Sequence, residues 1–241
     1  IAHRSVPERM KIVAEPKETQ ELLHGVDKAI TRTLLKVLHP GVAAAGQQLL
    51  EDYNLEGVEL VPPTTLFDTR HVVNLDGTEV HLIYVGPCHQ VGDAIVHVPK
   101  DGVVFAGDIV FRNCTPMGWV GTYEKWFKAL DLIISLKPKV IVPGHGPVCG
   151  IEGVTDMRAY FQYLRDESKK CFDAGLTALD AAKKIDFGPY GTWNAPARLY
   201  MNVERAYREF RNEPADAPWN KPGTFDAIYK VAKARGIAVE Y

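Results

Sequence analysis

Leu82-Ile83-Tyr84-Val85-Gly86-Pro87-Cys88-His89, Val103-Val104-Phe105-Ala106-Gly107-Asp108 and Val140-Ile141-Val142-Pro143-Gly144-His145-Gly146 share one design: an apolar β-rich run, then glycine, then an imidazole or carboxylate. Apolar runs of this length bounded by turn residues read as buried strands. A residue at the end of such a strand is held rigidly enough to meet the geometry that a metal demands. Glycine beside it permits the tight turn and the close approach of a ligand. His89, Asp108 and His145 are therefore candidate metal ligands. Each alone has an ordinary reading, as a hydrogen-bonded histidine or a turn aspartate. The order of all three, each behind a strand and next to glycine, carries the case. Imidazole and carboxylate suit zinc, and also iron or manganese.

Working outward, the flanking texture is mixed. Thr65 to Phe67, His71 to Leu75 and Val80 to Val85 are β-rich, and Asp76-Gly77 between the last two is a hairpin signal. Ala94 to Val98 and Val103 to Ala106 form a second hairpin around Lys100-Asp101-Gly102. Tyr123 to Leu136 has helical spacing. From Thr155 on the chain reads as helices over roughly Thr155 to Ala174, Ala178 to Ile185, Ala195 to Arg211 and Thr224 to Arg235, with Pro214, Pro218 and Pro222 in a loop before the last. Upstream, Ser5 to Glu8 is a capping box, and Lys17 to Leu38 and Val42 to Tyr53 are helix-like, broken at His39-Pro40-Gly41. Ile1-Ala2 reads as the end of a buried strand, so the sequence is expected to begin inside a fold.

The composition excludes several classes. The chain has 241 residues, 46% hydrophobic and 24% charged, with 28 Lys+Arg against 30 Asp+Glu. A formal charge of -2 argues against binding nucleic acid through its phosphates. No apolar run is long enough to span a bilayer. Cys88, Cys114, Cys149 and Cys171 show no CxxC spacing and read as reduced thiols. A nucleophilic Cys88 beside His89 is disfavoured, because neighbouring side chains on a strand face opposite ways. No Gly-x-Ser-x-Gly elbow occurs, which leaves a serine hydrolase unsupported. The partner expected is a small-molecule substrate, with no nucleic acid and no membrane. The compartment stays open, with the cytoplasm slightly favoured.

Gly86 to Asp93, Val104 to Phe111 and Val142 to Val148 resemble three consecutive motifs of the metallo-β-lactamase superfamily. The resemblance is specific from about Tyr84 to Val148. It implies an α+β fold, a four-layer αββα sandwich of two mixed β-sheets. On it, residues 1–153 form the metallo-β-lactamase-like domain, and 154–241 form a mainly helical C-terminal extension packed against that domain. It implies that His89 binds a first metal, Asp108 bridges two, and His145 binds the second; Asp93 shapes its loop. It implies a hydrolase using a metal-bound hydroxide on an ester, thioester, lactone or amide, with zinc as cofactor, two ions in the complete enzyme, and iron as the other candidate.

The family's His-x-His-x-Asp-His motif is missing. None of the eight histidines, His3, His24, His39, His71, His81, His89, His97 and His145, has the required spacing. The motif is expected upstream of Ile1, and without it the chain should bind metal weakly. Alternatives are a mononuclear iron sulfur-oxygenase on the same fold and a non-catalytic truncated or degenerate homologue. Trp119, in the loop after Asp108, and Tyr190 and Trp193, in the helical tail, are candidate substrate-binding residues. Arg198, Tyr200 and Asn202 are further tail residues of this kind.

Overall fold

The structure is a computed structural model describing residues 1–4, 40–41, 63–215 and 217–240. The capping box at Ser5 and the helical readings over 17–38 and 42–53 lie outside the described residues.

Two hairpins and a crossover build the main sheet. Strand β3 (Arg70–Leu75) turns into β4 (Thr78–Tyr84) through Asp76 and Gly77, at φ 49° and 82°. Positive φ at both central residues makes the turn whose twist matches that of the strands. Asn74 closes it by accepting the Gly77 N–H at 2.9 Å. β5 (Ala94–Val98) pairs antiparallel with β4 and with β6 (Val103–Phe111). β7 (Val140–His145) returns parallel to β6 through helix α1 (Tyr123–Ser135), giving the order β3-β4-β5-β6-β7. Since β5 opposes both its neighbours, β4, β6 and β7 run the same way. Their C-terminal ends lie along one edge of the sheet.

One face of this sheet is buried under helices. Ile95 and Val104 point there and are fully buried. The helices come from patterned sequence. In α1 Thr122 caps the N-terminus by accepting from Lys125 N, and Tyr123, Trp126, Ala129, Leu130 and Ile133 form the buried stripe. Helix α2 (Ile151–Asp173) buries Val154, Met157, Phe161 and Leu164. α3 (Ala178–Lys184), α4 (Leu199–Phe210) and α5 (Lys221–Arg235) follow, and one continuous core runs from Cys88 in the sheet to Ala232 in α5.

The opposite face carries Val96, Phe105, Val140 and Val142, all part-exposed, Phe105 by 46%. The second sheet lies over its β4 corner. β1 (Ala2–His3) pairs parallel with β2 (Leu66–Phe67), and His3 stacks on Tyr84 with centroids 3.7 Å apart. Helices, a mixed five-stranded sheet and a second sheet stack as an α+β sandwich with a helical C-terminal part.

Several boundaries differ from the sequence reading. Ile1 precedes β1 and is 52% exposed, so it does not end a buried strand. α2 starts at Ile151, four residues before the expected Thr155. The helix expected over Ala195 to Arg211 is split: Ala195 sits at φ 53°, a 3-10 turn covers Pro196–Arg198, and α4 begins only at Leu199. α5 starts at Lys221, which puts Pro222 inside its first turn, where a missing N–H costs nothing.

Candidate metal centre

The shared edge of β4, β6 and β7 gathers the three candidate ligands. His89 comes from the loop after β4. That loop is fixed by Asp93, whose Oδ2 accepts the N–H groups of Cys88 at 3.0 Å and Gln90 at 2.9 Å. Burial pushes the Asp93 carboxyl above its ordinary range, against the backbone donors that pull it down. Cys88 is wholly buried and its thiol lies on Val85 O; burial pushes its pKa far up, so it is a protonated structural thiol and no nucleophile.

Asp108 lies within β6 itself. The ladder pairs Gly107 with Pro143 and Phe111 with His145, so five residues of β6 run beside three of β7. The irregularity re-aims the side chains between those pairs. The expected loop after Ala106 is therefore a bulged continuation of the strand, secured where Arg112 N donates to His145 O at 2.8 Å. Gly144 stands opposite. A Cβ there would fall 2.6 Å from the Gly107 carbonyl carbon and closer still to Asp108 Oδ1.

The result is a carboxylate between two imidazoles. Asp108 Oδ2 stands 3.5 Å from His89 Nε2, and Oδ1 stands 3.4 Å from His145 Nε2. These separations are long for N–H···O hydrogen bonds. They match the edge of a tetrahedral zinc site, about 3.3 Å for bonds of about 2.0–2.1 Å. The donors thus fit one edge of each of two cation positions, with Asp108 common to both. Because its oxygens diverge, each position gathers only two donors. Among the described residues no group of three or more His, Cys, Asp or Glu closes on a single point.

Two neighbours orient the imidazoles. The Met117 carbonyl accepts from His89 Nδ1 at 2.6 Å, which leaves Nε2 as the free lone pair. His145 stacks on the buried Phe111 ring, centroids 4.7 Å apart and planes within 6°. Side-chain exposures of 15% for His89, 38% for Asp108 and 48% for His145 leave the edge open to solutes.

Beside His89 opens a cavity of about 510 Å³, lined among the described residues by Gln90, Trp119, Val120, Trp219, Lys221 and Phe225 with part of the 215–218 loop. Of the candidate substrate residues, Trp119 lies in its wall. Tyr190 and Trp193 lie elsewhere, packed on Tyr160 at 5.1 and 5.2 Å between centroids. Asn202 is buried and donates to Pro116 O and Tyr160 OH, which ties α4 to the loop carrying Met117 and Trp119. Arg198 donates to Cys114 Sγ in the same loop. The sequence places Met117, with Cys114 and Trp119, in the loop after Asp108 but misses the role of its carbonyl, and it misses Phe111, Trp219 and Lys221. A carbonyl has no side-chain signal, and Pro218-Trp219-Asn220-Lys221 reads as a plain loop.

The family model of the Metallo-beta-lactamase superfamily matches residues 15–145. A type 2 metallo-beta-lactamase of Bacteroides fragilis is 28% identical over 135 residues, 54% of each chain, so this chain spans about half the length of that relative. Among solved structures, the stereoselective inverting sec-alkylsulfatase Pisa1 from Pseudomonas sp. superposes with a TM-score of 0.50 at 18% identity, over 67% of this chain and 29% of that one. A metallo-beta-lactamase family protein of Thermus thermophilus gives 0.49 at 16% identity, over 70% and 59%.

Proposed function

The chain belongs to the metallo-β-lactamase superfamily, and from that membership we propose that it is a metal-dependent hydrolase of small esters, thioesters, lactones or amides, with His89, Asp108 and His145 as metal ligands. The observation that carries the reading is Asp108, which turns one oxygen to each imidazole at 3.5 and 3.4 Å. An ordinary N–H···O hydrogen bond would bring a carboxylate closer to its partners. Zinc is the metal that imidazole and carboxylate donors match best.

The roles follow from the surroundings. His89, held by Met117 O, presents Nε2 in a fixed tautomer, and His145 is held flat against Phe111. Asp108 joins the two halves and supplies the negative charge that offsets a dication. A divalent cation bound here polarises a carbonyl and lowers the pKa of a coordinated water. The exposed sides of Asp108 and His145 admit substrate from solvent, while the cavity by Gln90 receives the remainder of the molecule. Further donors are needed for tight binding, because two protein ligands per cation give a weak site.

Equilibrium dialysis against zinc, read with hydrolysis of chromogenic ester, thioester and lactone substrates, tests the assignment. Asp108→Ala should lose zinc from both positions, and His89→Ala and His145→Ala from one each. Hydrolysis should fall at least about 100-fold in each variant. Zinc retained in full by Asp108→Ala refutes the ligand set. Iron retained in preference to zinc, with oxygen consumption, refutes the hydrolase.

A further inference from the structure

The cavity beside His89 has a consistent chemistry. Trp119 meets Trp219 edge to face at 5.6 Å and Phe225 at 6.2 Å, so the wall is largely aromatic. A volume of about 510 Å³ suits a small organic molecule. Among the described residues its ionisable lining residue is Lys221, whose Nζ lies 5.9 Å from the Trp119 ring centre. Among the described residues no carboxylate pairs with Lys221.

The charge behind the wall has the same sign. Arg205 and Arg208 stack on Trp219 at 5.3 and 4.8 Å. Arg208 is neutralised by Glu213 at 2.8 Å. Arg205 is not: it is 2% exposed, and among the described residues it donates to the Trp119 and Ala215 carbonyls and leaves Nε without an acceptor. Burial and the Arg208 charge push its pKa down, the mark of an undercompensated cation. Among the described residues, Glu213 and Glu204 pair with Arg211 and Asp226 accepts the Gly41 N–H, while Glu209, which accepts the Tyr123 N–H, and Glu204 offset part of the Arg205 charge. Trp219 Nε1 adds a buried donor with no acceptor among the described residues.

An aromatic slot with Lys221 in its lining, and with no carboxylate paired to it among the described residues, selects for negative charge on an apolar body. We propose that this cavity recognises a small organic anion, its planar apolar part against Trp119, Trp219 and Phe225, and its carboxylate, sulfate or phosphate at Lys221. Gln90, in the loop that carries His89, lines the same cavity. In that sense the assignment names the substrate class of the proposed hydrolase and rests on that reading. The binding itself requires no metal.

The test is calorimetric titration of metal-free full chain with naphthalene-2-sulfonate and its uncharged analogue naphthalene-2-sulfonamide. The sulfonate should bind about ten-fold more tightly, as a charge-assisted contact predicts. Lys221→Gln should bring the two within about two-fold while the sulfonamide affinity stays constant, which also shows that the variant is folded. Equal affinities in the parent or discrimination retained by Lys221→Gln each overturn the proposal. Failure of the hydrolase reading would show only in the zinc and turnover measurements.

Discussion

Gly144→Ala is the sharpest perturbation of the metal edge. The added methyl carbon would lie 2.6 Å from the Gly107 carbonyl carbon, 2.8 Å from Asp108 N and closer still to Asp108 Oδ1. Carbon contacts settle near about 3.5–4.0 Å, so the two strands or the carboxylate must give way by roughly 1 Å. The flanks resist: β6 and β7 are joined above by the Phe105–Val142 pair and below by Arg112 N on His145 O. Overpacking of this kind costs about 1–3 kcal/mol. A displacement of about 1 Å at reacting groups costs on the order of 100-fold in rate. The oxygen pushed is the one that faces His145, so the His145 half should lose zinc first while the His89 half persists. Gly175→Ala is the control: φ is +75° there, and a methyl would meet nothing within 4 Å. It should cost only the left-handed backbone penalty, about 1–2 kcal/mol, and leave zinc binding alone. Urea denaturation and zinc titration of both variants decide. If Gly144→Ala binds zinc like the parent, or if Gly175→Ala weakens it as much, the close approach of β7 to Asp108 does not set the site.

Leu130→Ala, at a fully buried position of α1, should cost about 2–5 kcal/mol in urea denaturation without changing zinc stoichiometry. Asn202→Ala removes the donors to Pro116 O and Tyr160 OH. It should cost about 1–3 kcal/mol and lower turnover, since the same loop supplies the Met117 carbonyl to His89. The Glu213 carboxyl is held below its ordinary range, chiefly by the Arg211 hydrogen bond and then by Arg208. A depressed folded pKa contributes stability above the unfolded value of about 4.3, lost as pH falls through the folded one. The parent should thus exceed Glu213→Gln in stability at pH 7, and the gap should close on acidification below the carboxylate range. A gap that widens in acid would contradict the pairing.

The three segments that carry the candidate ligands were legible because their signals are local, although Asp108 lies inside β6 and not at its end. An apolar run, a glycine and a polar residue are chemistry that a few neighbouring positions dictate, and so are the Asp76-Gly77 turn and the α1 stripe. Helix starts were less legible. Lys221 opens its helix because Asn220 caps it, accepting the Gly223 N–H at 3.0 Å, and Ile151 and Glu152 begin theirs as an exposed turn ahead of buried Gly153 and Val154. Ala195 breaks the expected helix because its positive φ precedes Pro196. The sequence places Trp119 in the loop after Asp108 and Tyr190 and Trp193 in the helical tail, but local sequence does not tell that Trp119 faces the cavity with Lys221 while the other two pack on Tyr160.

The sequence alone marked His89, Asp108 and His145 as candidate ligands behind apolar β-rich runs, because that pattern depends on residues a few positions apart. Only the tertiary structure decided that one carboxylate faces two imidazoles through separate oxygens, and that Lys221 meets Trp119 across 102 positions of chain. Such pairings arise from strand order, a bulge and helix docking, and a linear pattern carries no information about which distant segments those bring together.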